Sequence, residues 1–275
     1  MLCKRSNGDL LNVSGFILQF FSTLHFSHYF MNKIQPEMPS STYSLSSPEH
    51  VAIIMDGNRR WAKLRGKNSI EGHYQGAEKL REMVRFAASL GIKFLTVYAF
   101  STENWHRSKE EVDSLMELFG LYLQQEKAGI VKEGVRLETI GNLSELPLPL
   151  QATFHEVKEA SKEGENITLI IAMNYGGRNE LIRGMKKMFC DLKKGKLDAE
   201  AVDEKRFSSY LDTASYPDPD LIIRSSGECR MSNFLLWQSS YAEIVVIDTL
   251  WPDFSTEDFS SAIEEYQTRI RRGGQ

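Results

Sequence analysis

This chain has little of what usually advertises a chemistry. Cysteine is scarce: Cys3, Cys190 and Cys229 are the only three in 275 residues. Odd in number, far apart and without metal-ligand spacing, they argue against disulfides and zinc and for a reducing compartment, with the cytoplasm as the default. Basic charge is not in excess, since 33 Lys and Arg face 37 Asp and Glu for a net charge of −4. No overall field draws the chain to nucleic acid, and no nucleic-acid partner is expected. The phosphate loop of common nucleotide enzymes is missing, because Gly66-Lys67 is followed by Asn68 and lacks the earlier glycine. The dinucleotide GxGxxG is missing too. Nor is there an unbroken apolar run of the roughly 20 residues that cross a bilayer: the uncharged stretch Leu10 to Asn32 is interrupted by Gln19, Ser22, His25 and His28.

What is there is the composition of a soluble globular protein, 41% hydrophobic and 25% charged, with ample material for a core. Residues 1–48 differ from the rest and are read as a flexible N-terminal extension. Three origins stand open for it. One is a segment upstream of true initiation at Met31 or Met38, another a weak membrane-surface contact. The third is a secretion signal opening on Lys4 and Arg5, though it lacks a clear small-residue cleavage site. Ser40 to Glu49 is a Ser-rich lead-in, and residues 49–275 are expected to form one catalytic domain.

In that domain apolar runs alternate with helical periodicity, which calls for a mostly parallel six-stranded sheet flanked by helices. Candidate strands are Val51–Met55, Phe94–Phe100, Val135–Gly141, Ile167–Met173, Leu221–Arg224 and Ile244–Asp248. Ala77, Leu80, Met83, Val84, Ala87 and Leu90 recur at helical spacing, as do Val112, Leu115, Met116, Phe119 and Leu123. The Lys186–Lys196 run reads as a solvated helix face, and Gly176-Gly177 as a strand-to-helix turn needing special backbone angles.

Three strand ends finish in polar bursts. The first apolar run ends on Asp56-Gly57-Asn58 and opens into a basic helix carrying Arg59 and Arg60. Ligands of open α/β sheets bind beyond the carboxyl ends of the strands, where a helix start also favours anions. An acid beside a bare anion is odd unless a cation lies between them, and Mg²⁺ bridging Asp56 and a diphosphate resolves this. The second burst is Ser101-Thr102-Glu103-Asn104-Trp105-His106-Arg107. For Ser101, Asn104 and Arg107, ligand contact and helix capping stand level; Ser108 with Glu111 reads as a capping box. The third, Arg224 to Asn233, offers Arg224, Arg230 and several hydroxyls as an anion cradle. Glu243 is read as opening the last strand and facing the same crevice, as an ion-pair partner or a second metal ligand. Three anion-binding strand ends with so few acids suggest two anionic ligands and one Mg²⁺, and apolar helix stripes leave room for a greasy tail.

Six segments in this order, HVAIIMDGNRRWA, GHYQGAEKLRE, YAFSTENWHRS, AMNYGGR, DLIIRSSGECRMSNFLLWQSSYAE and LWPDFSTEDF, resemble cis-prenyltransferases, specifically the bacterial undecaprenyl diphosphate synthase family. The resemblance covers Glu49 to Arg272 and implies a hydrophobic tunnel beside the sheet. It implies Mg²⁺-dependent addition of isopentenyl diphosphate to an allylic diphosphate such as farnesyl diphosphate, giving a long-chain polyprenyl diphosphate for cell-wall glycan carriage. By resemblance, Asp56 is the essential acid and holds Mg²⁺ with Glu243. Gly57, Asn58, Arg59, Arg60 and Trp61 form the allylic diphosphate pocket, with His73 nearby. Ser101, Thr102, Glu103, Asn104, Trp105 and Arg107 border the reacting carbons, and Arg224, Arg230, Met231 and Ser232 bind isopentenyl diphosphate.

The family pattern casts Asn104 as the proton acceptor. A neutral carboxamide is a poor base, so Asn104 is expected to orient the isopentenyl group while the proton goes to Asp56 or a diphosphate oxygen. Two departures stand out: Ser69 replaces an arginine expected to grip the allylic diphosphate, and Cys229 replaces a frequent histidine or glutamine. Lys67 or Arg65 is the available substitute for the missing arginine. The Arg269–Gly274 tail resembles the family's closing Arg-Gly segment, which implies a homodimer, and product release implies transient contact with a membrane surface. Short- or medium-chain synthesis remains the alternative within this chemistry. A non-catalytic scaffold subunit is the alternative outside it, although such a subunit is expected to lack the Asp-Gly-Asn-x-Arg motif retained here.

Overall fold

A strand covered on both faces needs a continuous apolar run, and Val51–Ile54 supplies one in a strand, His50–Ile54, whose five residues are all buried. In the computed structural model, which describes residues 47–269, this strand, β1, lies inside a six-stranded sheet. The others are β2 (Phe94–Ser101), β3 (Val135–Ile140), β4 (Ile167–Tyr175), β5 (Leu221–Arg224) and β6 (Glu243–Val246). Their spatial order is β3-β4-β2-β1-β5-β6, and every pairing is parallel rather than most of them. All six expected strands are present, with ends shifted by a residue or two. The expectations for residues 1–46, including Cys3, and for the tail beyond Arg269 lie outside the described residues.

The helices are α1 (Asn58–Leu64), α2 (Ser69–Ser89), α3 (Lys109–Lys132), α4 (Leu148–Ser161), α5 (Gly177–Lys193), α6 (Glu204–Ser208) and α7 (Thr256–Thr268). The start of α2 is fixed by a reciprocal cap: Asn68 Oδ1 accepts from the Glu71 N–H at 2.9 Å, and Glu71 Oε1 accepts from the Asn68 N–H at 3.1 Å. Alternation along the strands divides the apolar material between the two faces of the sheet. Val51, Ile53, Leu95 and Val97 face one core with the stripes of α2 and α3, and Ala52, Ile54, Ile170 and Ile222 face a second with Tyr175 and Phe234.

After β1 the chain lays β2 beside it, places β3 at the far edge and returns to fit β4 between β2 and β3, then crosses to the other flank of β1 for β5 and β6. The direction of winding therefore reverses between β1 and β5, and the crevice beyond their carboxyl ends is the place where such sheets hold ligands. One glycine expectation is corrected. Gly176 has an extended backbone (φ −159°), so the tight turn does not depend on its angles. It is small because a Cβ would sit 2.5 Å from Thr102 Oγ1 and 2.7 Å from Asn233 Nδ2. The left-handed residue of this turn is Asn174, at φ 47°.

Candidate active site

Asp56 stands two residues past the end of β1, and its place is set by both neighbours in the crevice. Its N–H donates to Ser225 Oγ at 2.9 Å, and Ser225 Oγ donates back to the Asp56 carbonyl at 2.8 Å. Gly57 then turns the chain with φ +104°, where a Cβ would also strike Leu250 at 2.9 Å. The Gly57 N–H donates to Asp56 Oδ1 at 2.7 Å, and Arg224 Nη2 donates to Oδ2 at 2.7 Å. Burial works to raise the Asp56 pKa, but the Arg224 hydrogen bond and charge, the Gly57 N–H and Arg60 outweigh it and hold the carboxyl below its ordinary range. Asp56 is therefore an ionised hard-oxygen donor at the crevice floor.

Arg224 is 4% exposed, and its Nη1 also donates to Ser232 Oγ at 2.8 Å and to the Arg230 carbonyl. This knits the 224–233 loop under the crevice. Arg60 crosses from α1 to donate to Ser226 Oγ at 2.5 Å and lies 3.8 Å from Asp56 Oδ2. Arg230 points outward and pairs with Glu228, while Met231 packs on the second core.

On the other side of Asp56 a second cationic group forms around Glu111, which receives Arg107 at 3.1 Å, Arg59 at 3.6 Å and Ser69 Oγ at 3.4 Å. Ser108 caps α3 through the Glu111 N–H at 3.2 Å, but the Glu111 side chain serves the arginines instead of closing the expected box. Sequence reasoning missed that role because its partners come from three separate elements. His73 faces the same space. Burial first, then Arg107 and Arg59, push its pKa down to about 4, and its Nε2 is buried with no partner among the described residues. Neither candidate replacement for the absent arginine reaches this group: Arg65 pairs with Asp253 at 2.9 Å over the Trp61 ring, and Lys67 pairs with Glu71 at 3.3 Å.

The Thr102–His106 turn lies between the two cationic groups. Asn104 Oδ1 accepts from the Ser101 N–H at 3.1 Å, which occupies the amide oxygen in capping. Thr102 packs beside Gly176, Glu103 accepts from Asn233 Nδ2 at 2.8 Å, and Trp105 Nε1 donates to Asn174 Oδ1 at 2.7 Å. These contacts tie the turn to the ends of β4 and β5; the pattern of the segment alone carried no sign of Asn174 or Asn233 as its anchors.

Asp56, Gly57, Asn58, Arg59, Arg60, His73, Asn104 and Arg107 line the mouth of a cavity of about 260 Å³ that continues along the sheet between α2 and α3, past Ala99, Leu137 and Ile171. Trp61 is not at this mouth. It is buried on the opposite side of α1 and donates to Asp253 Oδ1 at 2.6 Å.

Glu243 corrects an expectation. It pairs in register with Leu221 at the start of β5, so it sits at the amino end of the sheet, whereas Asp56 lies beyond the carboxyl end. About five residue rises, roughly 16 Å, separate the two levels, and Glu243 is engaged with Arg269 at 2.7 Å. It does not face the crevice. Among the described residues no three His, Cys, Asp or Glu side chains cluster as a metal cage. Asp56 with waters and substrate phosphates nevertheless suits Mg²⁺, which commonly takes only one or two protein carboxylates.

A wholly parallel α/β sheet whose crevice joins paired cationic groups to an apolar cavity belongs to the class of enzymes built for amphiphiles with anionic heads. Residues 54–274 match the family model described as "Putative undecaprenyl diphosphate synthase". The chain is 49% identical over 231 residues to the isoprenyl transferase of Aquifex pyrophilus, covering 84% of this chain and 97% of that one. It is 46% identical over 227 residues to the ditrans,polycis-undecaprenyl-diphosphate synthase, (2E,6E)-farnesyl-diphosphate specific, of Micrococcus luteus, covering 82% and 91%. Lavandulyl diphosphate synthase from Lavandula x intermedia, solved with dimethylallyl diphosphate, superposes with a TM-score of 0.81 at 36% identity, covering 83% and 99%. The chain belongs to the undecaprenyl diphosphate synthase family and is a transferase of prenyl groups.

Proposed function

We propose that this protein elongates cis-prenyl chains with Mg²⁺. It condenses isopentenyl diphosphate with an allylic diphosphate, farnesyl diphosphate first, to a long-chain polyprenyl diphosphate of the undecaprenyl type used as a cell-wall glycan carrier. One observation carries the reading: two cationic groups flank a single ionised Asp56 at the mouth of an apolar cavity. The Arg59, Arg107 and His73 group suits the allylic head, whose tail enters the cavity. The Arg60, Arg224, Arg230 and Ser232 group suits isopentenyl diphosphate.

Mg²⁺, when bound at Asp56, supplies charge neutralisation to the departing diphosphate. The arginines add to that stabilisation from fixed positions, which costs no reorganisation as charge develops. Asn104, its oxygen engaged by Ser101, directs its Nδ2 hydrogens toward the substrate and orients the isopentenyl group. Asp56, held well ionised, is a weak base, which favours a diphosphate oxygen as the final proton acceptor.

The edge strand β6 and its approach expose Tyr241 at 92% and Ile244 at 40%, and an exposed apolar edge favours pairing with another copy. A homodimer through this edge would bury both side chains and place Glu243 at a subunit boundary, where it can serve a metal site outside its own crevice.

The test is incubation of the purified protein with farnesyl diphosphate and labelled isopentenyl diphosphate, with Mg²⁺ or excess chelator, beside Asp56→Ala, with products sized. Mg²⁺- and Asp56-dependent polyprenyl products are expected, and a folded sample that incorporates no label overturns the reading. The likeness to a lavandulyl diphosphate synthase favours short-chain synthesis as the second reading, and short products alone would establish it.

A further inference from the structure

The side chain that meets Thr102 over Gly176 is that of Asn233, and it does more than fill a gap. Its carbonyl accepts from the Gly177 N–H at 2.7 Å and its Oδ1 from the Arg178 N–H at 2.9 Å, which satisfies two of the free donors at the start of α5. Its Nδ2 reaches the other way and donates to Glu103 Oε1 at 2.8 Å. The partners fix which end of the amide is which, since a backbone N–H needs the oxygen and a carboxylate needs the nitrogen. Asn233 adopts φ 64°, a left-handed angle that asparagine and aspartate tolerate better than most side chains. Turned this way, one amide holds α5 with its oxygen and the Thr102–His106 turn with its nitrogen.

A second pocket shares Asp56, Asn104 and Tyr98 with the cavity mouth and adds Arg224, Ser232, Asn233 and Glu103. Ser232 precedes Asn233 in the chain and Asn104 follows Glu103, so the Asn233–Glu103 bond sets how far the 224–233 loop stands from Asn104. Isopentenyl diphosphate is too short to absorb a change in that spacing, and a misplacement of roughly 1 Å can cost about 10²-fold in rate. Each side also has an anchor of its own. Tyr98 OH donates to the Ser232 carbonyl at 3.4 Å, and Trp105 Nε1 donates to Asn174 Oδ1 at 2.7 Å. Cutting the Asn233–Glu103 bond therefore leaves both pieces in place but frees the distance between them.

Resting on the elongation reading, we propose that Asn233 is a positioning residue, which through Glu103 fixes the spacing between the isopentenyl diphosphate loop and Asn104. It acts on the condensation step. The allylic diphosphate, held by the Arg59, Arg107 and His73 group, is bound without it.

The experiment measures the single-turnover rate of the first condensation, the KM of each substrate and the melting temperature for wild type, Asn233→Asp, Glu103→Gln and the two changes together. Asn233→Asp keeps an oxygen for the Arg178 N–H and tolerates the same backbone angle, but sets a carboxylate against Glu103. Adding Glu103→Gln restores the bond with donor and acceptor exchanged. For Asn233→Asp the expected result is a first-condensation rate at least about tenfold below wild type, with the allylic KM within about twofold. The double variant is expected to return to within about threefold of Glu103→Gln alone, the coupling that contacting residues show. A wild-type rate from Asn233→Asp overturns the proposal. So does a loss that is the same in the Glu103→Gln background, because an asparagine that only caps α5 gives no rescue. If Asn233→Asp does not fold, Glu103→Asp, which draws the acceptor away from Asn233 at constant charge, must show the same split between rate and allylic KM, and a wild-type rate from it overturns the proposal equally. A wild-type protein that makes no polyprenyl product overturns the elongation reading itself, so the two failures are told apart.

Discussion

Asp56 and Arg224 depend on each other: the carboxylate stays ionised because the guanidinium is near, and the guanidinium tolerates burial because the carboxylate answers its charge. Asp56→Ala is thus expected to act twice, lowering kcat/KM by at least roughly 10²–10³-fold and destabilising by about 3 kcal/mol through the stranded Arg224, read from urea midpoints. Two histidines govern the acid side of stability. His73 is pushed down to about 4 by burial, then by Arg107 and Arg59; His50 is pushed down to about 4 by burial, against the Pro217 carbonyl and Asp220, which raise it. In the unfolded chain both titrate near 6.5. Between these values the unfolded state binds more protons, so stability falls as pH drops from about 6.5 toward 4, by up to roughly 1.4 kcal/mol per pH unit for each histidine. Above that window neither contributes. Asp56 is separate, since its stabilisation is present above the unfolded value of 3.8 and is lost only as pH falls through the depressed folded value. Denaturant titrations at pH 7, 6 and 5 should show the slope, and His73→Gln should roughly halve it.

Among the elements, the crossing of α1 over α2 positions the mouth of the cavity. A Cβ at Gly72 would lie 2.2 Å from the Asn58 carbonyl oxygen, a backbone atom that cannot swing away. Gly72→Ala is expected to push α1 outward and cost about 1–3 kcal/mol as an overpacked contact. Thermal melts should show the loss, and a raised KM for the allylic substrate should accompany it, because Arg59 rides on α1. This closeness was not legible in the sequence, where Gly72 stands inside an ordinary helical period. The strands were legible because burial on both faces demands continuous apolar runs, as in Val51–Ile54. Asp56 was legible because an acid after such a run has few other uses. Glu243 was misplaced for a physical reason: which end of the sheet a residue occupies depends on where its strand starts against β5, and local pattern carries no register. Glu111 was read from a cap spacing that it satisfies only through its backbone N–H, while its carboxylate answers arginines brought in by the fold. Asn174 and Asn233, the anchors of the Thr102–His106 turn, were invisible for the same reason.

For the whole molecule, among the described residues no helix is long and apolar enough to cross a membrane, and the β6 edge with its approach exposes Tyr241 and Ile244. On the homodimer proposed above, Tyr241→Asp is expected to shift the protein from dimer to monomer in analytical ultracentrifugation. If Glu243 serves a neighbouring site, the same variant should lose Mg²⁺-dependent turnover while keeping its melting temperature within a few degrees. A variant that sediments as a dimer would place the interface elsewhere.

The wholly parallel sheet also dictates a schedule. Arg224 lies 168 residues after the Asp56 it restrains, and β5 covers the flank of β1 that β2 leaves bare. On the ribosome, a chain that has already displayed every residue from Asp56 to Arg107 still holds an unpaired β1 edge and an unanswered acid. Contacts of such separation form late and slowly, and an uncovered strand is prone to pair with a neighbour. The cell therefore carries most of this protein through synthesis as an inert, adhesive intermediate, and catalysis begins only when the final fifth of the polypeptide arrives.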